Sequence, residues 1–156
     1  MVQILIRKAT LEDLAVLLRF EQGVIKAERP FDTTLKEDPI HYYDIREMIV
    51  SPGTELVVAV LDHEIVGSGY ARIEHSKPYL KHSKYAYLGF MYVDPGHRGK
   101  GVIQKIIETL KQWAFAQNIK ELRLKVYDNN LSALKAYEKA GFARHIIEMR
   151  LETGNE

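Results

Sequence analysis

A glycine-rich turn between a strand and a helix constrains this chain more than any other stretch. It reads Val93-Asp-Pro-Gly-His-Arg-Gly-Lys-Gly-Val102. Aromatic and β-branched residues over 84–93 predict a strand before the turn, and Asp94-Pro95-Gly96 ends that strand. Apolar residues from Val102 to Ala114 then recur on one helical face, with charged residues opposite.

The turn has the composition of an anion site. Gly99 and Gly101 remove side chains where a backbone approaches a ligand, and a helix start offers unpaired N–H groups. Arg98 and Lys100 add cationic donors. Together these features indicate a phosphate or pyrophosphate site, although an ordinary turn with two flexible glycines has the same pattern. A Walker A loop is excluded, because it would need glycine at Asp94.

The remaining patterns predict an α/β fold of the mixed, α+β-like kind. Apolar residues over 55–61 are typical of a strand covered on both faces, and Gly67 and Gly69 indicate a bulge or a close approach. Thr10 is a good helix N-cap, and Gly141 fits a C′ position. The predicted strands span 2–7, 55–61, 64–75, 84–93, 120–127 and 142–151; the predicted helices span 11–22, 40–50, 102–114 and 131–140. This order predicts one domain over 1–156, with a central mixed antiparallel/parallel sheet of about six strands and flanking helices.

Composition excludes several classes of protein. The 156 residues carry a formal net charge of +1, which argues against a protein that coats nucleic acid. There is no cysteine, so disulfides, thiolate metal sites and a cysteine nucleophile are excluded. The six histidines are scattered, and we expect no metal site. No apolar stretch approaches a membrane span, and we expect a cytoplasmic protein that binds neither membrane nor nucleic acid.

Two blocks of the sequence occur in a recognisable order. The first is Val93-x-Pro95-x-x-Arg98-Gly99-x-Gly101-Val102. The second is Leu124-x-Val126-x-x-x-Asn130-x-x-Ala133-x-x-x-Tyr137-x-Lys139-x-Gly141-Phe142. They resemble the acetyl-CoA-binding motif and the downstream motif of the GNAT N-acetyltransferase superfamily. Two positions depart from the family pattern: Gly96 stands in place of Gln or Arg, and Ile103 replaces a common glycine.

The resemblance implies an enzyme that moves an acetyl group from acetyl-CoA, as co-substrate, directly to an amine of a small molecule or protein in a ternary complex. It implies a splayed pair of strands, 84–93 and 120–127, with the pantetheine between them. A homodimer is common in this family. The cofactor-binding residues that it implies are Met91, Tyr92 and Val93 for the pantetheine amides, Arg98, Gly99, Lys100, Gly101 and Val102 for the pyrophosphate, and Asn130, Ala133 and Tyr137 for the pantetheine arm and thioester.

The resemblance also assigns catalytic work to Tyr137. Its phenol would protonate or hydrogen-bond the CoA thiolate as the thiolate leaves, since a phenol with a pKa near 10 stays protonated at neutral pH. Without the resemblance, Tyr137 reads as a core residue on the helical face of Leu134 and Ala140. Asn130 reads as an N-cap, and a cap can also contact the cofactor.

The general base is open, because residues 87–91 contain no carboxylate or imidazole. Glu74 is the candidate for this catalytic role, and His75 and His82 are nearby in the sequence. Glu21 and Glu28 are further candidates to line the amine side.

Charge is uneven along the chain. Residues 21–47 carry a balance of −3, with seven acids against four Lys and Arg, whereas residues 97–111 carry +3, with four against one. An acidic acceptor side favours a cationic amine, although ordinary solvated charge explains it equally. Two other functions stay open: a non-catalytic acyl-CoA-binding sensor on the same fold, and a phosphate-binding module unrelated to CoA.

Overall fold

A computed structural model of the chain describes residues 3–154. They divide into two compact units, the first ending at Lys125 and the second beginning at Val126. The first unit contains strands β1 (Leu5–Lys8), β2 (Thr54–Leu61), β3 (Glu64–His75), β4 (Lys84–Val93) and β5 (Leu122–Arg123), and helices α1 (Leu14–Glu28), α2 (Ile45–Val50) and α3 (Val102–Ala116). The second unit contains helix α4 (Leu131–Lys139). The single domain stays a prediction.

The strands form one mixed sheet in the order β1-β2-β3-β4-β5. Neighbours are antiparallel up to β4, and β5 runs parallel to β4. The predicted mixed α/β class is therefore confirmed, but the described sheet has five strands rather than about six. Residues 142–151 carry no strand, because alternating apolar residues specify a face and do not supply a neighbour to pair with. The predicted first strand includes Val2, which lies outside the described residues.

Strand β2 is covered on both faces, as its apolar run predicts. Leu56 and Val58 belong to a core cluster with side chains of α1 and α2, while Val57 and Ala59 are buried on the opposite face. Full burial of a side chain such as Leu56 contributes about 1.5–3 kcal/mol. Strand β2 thus contributes side chains to the hydrophobic core on both faces of the sheet.

Helix α3 lies against the sheet at two glycines of β3. A Cβ atom at Gly67 would lie 2.8 Å from the Tyr92 carbonyl oxygen, and one at Gly69 would lie 2.6 Å from Cγ2 of Ile106. The predicted close approach is confirmed, and its partners are α3 and β4. This contact fixes the start of α3 beside the end of β4.

Local hydrogen bonds set the helix boundaries. Asp44 accepts a bond from the Glu47 amide at 3.2 Å, so α2 begins at Ile45 rather than near 40. The Asp13 carboxylate accepts from the Thr10 amide at 2.8 Å before α1 begins. Within residues 3–154, no helix is both long and apolar enough to cross a lipid bilayer.

Candidate functional site

Two glycines in the left-handed conformation turn the chain from β4 into α3. Gly99 has a φ of +78° and Gly101 a φ of +82°, and the helix begins at Val102. A Cβ atom at either glycine would meet no other atom within 4 Å. Glycine is required here by the left-handed backbone conformation, which is strained for residues with a side chain. It is not required by lack of space around the Cβ position.

The start of α3 presents backbone amides and positive charge. The Lys105 amide donates to the Gly101 carbonyl at 3.2 Å, and the amides before it have no acceptor within the helix. Arg98 and Lys100 are exposed, and Nε of Arg98 donates to the Val93 carbonyl at 3.2 Å, which ties the loop to the end of β4. Amides, helix dipole and two cations together suit a polyphosphate.

Strand β5 has only two residues, and both pair with residues near the start of β4. The paired positions are Ala86 with Leu122 and Tyr87 with Arg123. Residues 88–93 of β4 have no strand partner on this side in the described part of the chain. The predicted strand over 120–127 is thus only two residues long, and the half of β4 that leads into the glycine loop is left without a strand partner on this side in the described residues.

A β-bulge interrupts β4 within this unpaired half. The pairing of β3 with β4 moves from Ser68–Tyr92 to Tyr70–Gly89, so two residues of β4 oppose one of β3. Phe90, in the bulge, has a φ of +54°, and its carbonyl accepts a 3.0 Å bond from Oγ of Ser68. Bulges of this kind redirect the backbone and its side chains.

The chain segment before α2 is held over the bulge by one buried carboxylate. Glu21 is completely buried in α1. Its Oε1 contacts Nδ1 of His41 at 2.8 Å, and its Oε2 accepts from the amides of Tyr42 and Tyr43, each at 2.8 Å. The Tyr43 ring stacks on Phe90 with 4.7 Å between ring centroids. Burial raises the pKa of the Tyr43 phenol, which stays protonated at neutral pH.

Glu74 lies near the far end of β3, where it pairs with Tyr85. It is four residues from Tyr70, which faces the bulge region, and four residues of strand span roughly 13 Å. This separation is too long for direct proton transfer at the bulge. The catalytic role of Glu74 stays a prediction.

The second unit contains the other predicted site residues on α4. Oδ1 of Asn130 accepts from the Ala133 amide at 3.2 Å, so Asn130 caps the helix. At the other end, Gly141 has a φ of +105°, as a C′ glycine should. Tyr137 packs edge-to-face on Phe142 with ring centroids 6.2 Å apart. The contacts of Asn130, Ala133 and Tyr137 with a cofactor stay predictions.

Comparison with known proteins settles the family. The family model described as "Acetyltransferase (GNAT) family" matches residues 21–142. The chain belongs to the GNAT acetyltransferase family. The match includes the glycine loop, strands β4 and β5, and α4.

Individual relatives agree with the family. A streptothricin acetyltransferase of Escherichia coli is 34% identical over 58% of this chain, and the match covers 48% of that protein, about half its length. A thialysine N-epsilon-acetyltransferase of Bos taurus is 24% identical over 88% of this chain and 83% of that protein. The solved structure of a "predicted acetyltransferase with acetyl-CoA" from Clostridium acetobutylicum has a TM-score of 0.74 at 18% identity, over 96% of both chains, and so shares the fold.

Membership in the GNAT family confirms the family resemblance and the enzyme class that the two sequence blocks predicted. Acetyl-CoA-dependent N-acetyl transfer is the function that this family and its named members support, and a non-catalytic sensor is not favoured. No pattern in the sequence indicates the positive φ of Phe90 or the stacking of Tyr43 on its ring. Both depend on contacts between distant segments of the GNAT fold.

Proposed function

We propose that the protein transfers the acetyl group of acetyl-CoA directly to a cationic amine within a ternary complex. The observation that carries this proposal is the turn at Gly99 and Gly101, which begins α3 directly after the unpaired end of β4. The chain has no cysteine that could form an acetyl-enzyme intermediate, and direct transfer is the simpler route.

The cofactor would run from the loop along β4. The amides of residues 98–102 would hold the pyrophosphate, and the backbone of residues 91–93 would bind the pantetheine amides. Asn130 and Ala133 would contact the pantetheine arm. Tyr137 would donate its phenolic proton to the sulfur as the carbon–sulfur bond breaks.

The acceptor is proposed to be a primary amine that is positively charged at neutral pH. Residues 21–47 have a charge balance of −3 and include the segment held over the bulge. An acidic approach favours a cationic substrate. The named relatives act on streptothricin and on the ε-amine of thialysine, which is consistent with this class of acceptor.

Calorimetry and turnover test the proposal together. We expect one acetyl-CoA per chain, and release of CoA thiol when lysine, thialysine, spermidine or streptothricin is added. Binding without thiol release for a broad panel of amines would support the acyl-CoA sensor instead. Thermal stabilisation by ATP but not by CoA would support an unrelated phosphate-binding module.

We further propose that the protein acts in the cytoplasm, as a homodimer and without a metal ion. The absence of cysteine fits a reducing compartment, and the family resemblance supports the dimer. Light scattering of the purified chain measures the oligomeric state, and turnover in the presence of EDTA tests the metal.

A further inference from the structure

Arg72 lies in a row of side chains on one face of the sheet, close to the bulge of β4. It pairs with Thr54 of β2 on one side and with Tyr87 of β4 on the other, and directly paired residues point to the same face. Tyr70, two residues earlier in β3, shares this face and pairs with Gly89 at the edge of the bulge. A strand rises about 3.3 Å per residue, so Arg72 lies about 7 Å along the sheet from the bulge.

Two contacts hold the Arg72 guanidinium in place. Its Nε donates to Oγ1 of Thr54 at 3.2 Å, and Thr54 is buried. Its carbon Cζ lies 5.5 Å from the centroid of the Tyr70 ring, which is the direction of the bulge. The side chain is nevertheless 39% exposed, and within residues 3–154 the bond to Thr54 is its only hydrogen bond. The guanidinium is therefore positioned by the fold and keeps donors for a ligand.

A carboxylate of opposite charge lies beside this guanidinium. Oε2 of Glu47, in α2, is 3.8 Å from Nη2 of Arg72, which is longer than a hydrogen bond. The Glu47 side chain is 55% exposed, so solvent and ligands reach both members of the pair. An exposed ion pair at this distance is weak and gives way readily to better contacts. The two groups match a ligand that carries an anion and a cation on one carbon atom, as an α-amino acid does.

We propose that Arg72 binds the α-carboxylate, and Glu47 the α-ammonium, of an amino-acid acceptor whose side-chain amine is acetylated. This inference rests on the proposed N-acetyltransferase function and names its acceptor class. Arginine suits the first task, because its planar fork binds a carboxylate through two parallel hydrogen bonds. Among the amines named above, lysine and thialysine carry this head group and spermidine does not.

The length of such an acceptor fits the distance along the sheet. In the proposed binding mode the pantetheine contacts residues 91–93, so the thioester reaches β4 next at Phe90, in the bulge. An amine that five chain atoms separate from its carboxylate spans about 7 Å when extended. This equals the distance along the sheet between Arg72 and the bulge, so one molecule of the size of lysine reaches both.

Arg123 offers a matched control on the same face of the sheet. It lies on the other side of β4 from Arg72, and its side chain is 37% exposed. Its guanidinium lies 3.9 Å from the centroid of the Tyr85 ring and donates to Glu121 at 3.0 Å. Tyr85 is five residues before Phe90, which is roughly 16 Å along the strand. Arg123 therefore loses the same charge on substitution but is too far from the bulge to hold the acceptor.

Substrate comparison and substitution test the proposal together. In the wild-type enzyme, kcat/KM for the faster of lysine and thialysine should exceed that for its α-carboxamide, and for 1,5-diaminopentane, at least about tenfold. Arg72→Gln should lower kcat/KM for the amino acid roughly 30-fold, mainly through KM, and for the carboxamide less than about threefold. Arg123→Gln should change neither value more than about twofold. Calorimetry should show acetyl-CoA affinity within about twofold of wild type in both variants.

Glu47→Gln tests the second half of the site. The wild-type enzyme should prefer lysine over 6-aminohexanoate, which has no α-ammonium, by about fivefold, and Glu47→Gln should remove that preference. Preference for lysine over its carboxamide should survive in this variant. An unchanged preference over 6-aminohexanoate would overturn the role of Glu47.

The wild-type comparison decides the matter even where Arg72→Gln does not fold. Equal kcat/KM for the amino acid and its carboxamide would overturn the role of Arg72. So would a loss in Arg123→Gln as large as that in Arg72→Gln, because it would show a general effect of positive charge. Turnover of spermidine or streptothricin but of neither amino acid would overturn this inference and leave the proposed function intact. Absence of turnover with every amine would instead reject both.

Discussion

The buried carboxylate of Glu21 offers the sharpest test of how the acceptor side is held together. Glu21→Ala removes an acceptor that contacts His41 and the amides of Tyr42 and Tyr43, each at 2.8 Å. Two backbone amides then lose their partner inside the protein. Glu21→Gln keeps the shape and one oxygen.

The two substitutions should differ in cost. A buried donor left without its acceptor costs about 1–3 kcal/mol, and we expect about 3 kcal/mol for Glu21→Ala because two amides lose their partner and both are only partly buried. In Glu21→Gln the amide oxygen can still accept from Tyr42 and Tyr43. The amide nitrogen can donate to Nδ1 of His41 in its other tautomer, so we expect about 1 kcal/mol.

Chemical denaturation and thermal melting measure both changes. For a chain of this length about 3 kcal/mol corresponds to a fall in Tm of roughly 6–12 °C. Glu21→Ala should also raise KM for the amine more than it weakens acetyl-CoA binding, since it releases the segment over the bulge. The reasoning is refuted if the free energies of unfolding of Glu21→Ala and Glu21→Gln differ by less than about 1 kcal/mol.

Four further predictions concern the loop, the catalytic acid, the core and pH. Gly101→Asp should weaken acetyl-CoA binding roughly 100-fold in calorimetry, because it strains a positive φ and adds negative charge; unchanged affinity would contradict the loop assignment. Tyr137→Phe should lower kcat roughly 100-fold with little change in acetyl-CoA affinity, and an equal loss of affinity would make it a packing residue. Gly69→Ala should cost about 1–3 kcal/mol in urea denaturation, because the new Cβ would lie 2.6 Å from a side chain of α3. Arg7 lowers the pKa of the Asp13 carboxyl, so this pair stabilises the fold above about pH 3.9 and the contribution is lost as pH falls through the lowered value. Asp13→Asn should remove that part of the acid sensitivity, measured as unfolding free energy against pH.

Patterns within one segment were enough to predict most of the first unit. The apolar run in β2 indicates burial on both faces, and the positions of α3 that face the sheet follow from their helical spacing. The break at Asp62-His63 is a two-residue hairpin turn with both φ values positive, as such turns require. The predicted strand over 142–151 was wrong, because a strand needs a neighbouring strand to pair with and alternating apolar residues do not show whether one is present.

Part of the candidate site can likewise be predicted from the sequence, and part of it cannot. The glycine loop is visible in the sequence, since Gly99 and Gly101 take a conformation that few other residues adopt. The bulge at Phe90 is not visible, because its positive φ depends on pairing with β3 and on the Ser68 bond.

Release of CoA thiol from acetyl-CoA in the presence of cationic amines is the most direct measurement of the central claim. We expect thiol and acetylated amine in equal amounts with at least one amine of the panel, and much slower thiol release from Gly101→Asp at the same subsaturating acetyl-CoA concentration. A folded wild-type protein that binds acetyl-CoA but releases no thiol above spontaneous hydrolysis with any of these amines would contradict it.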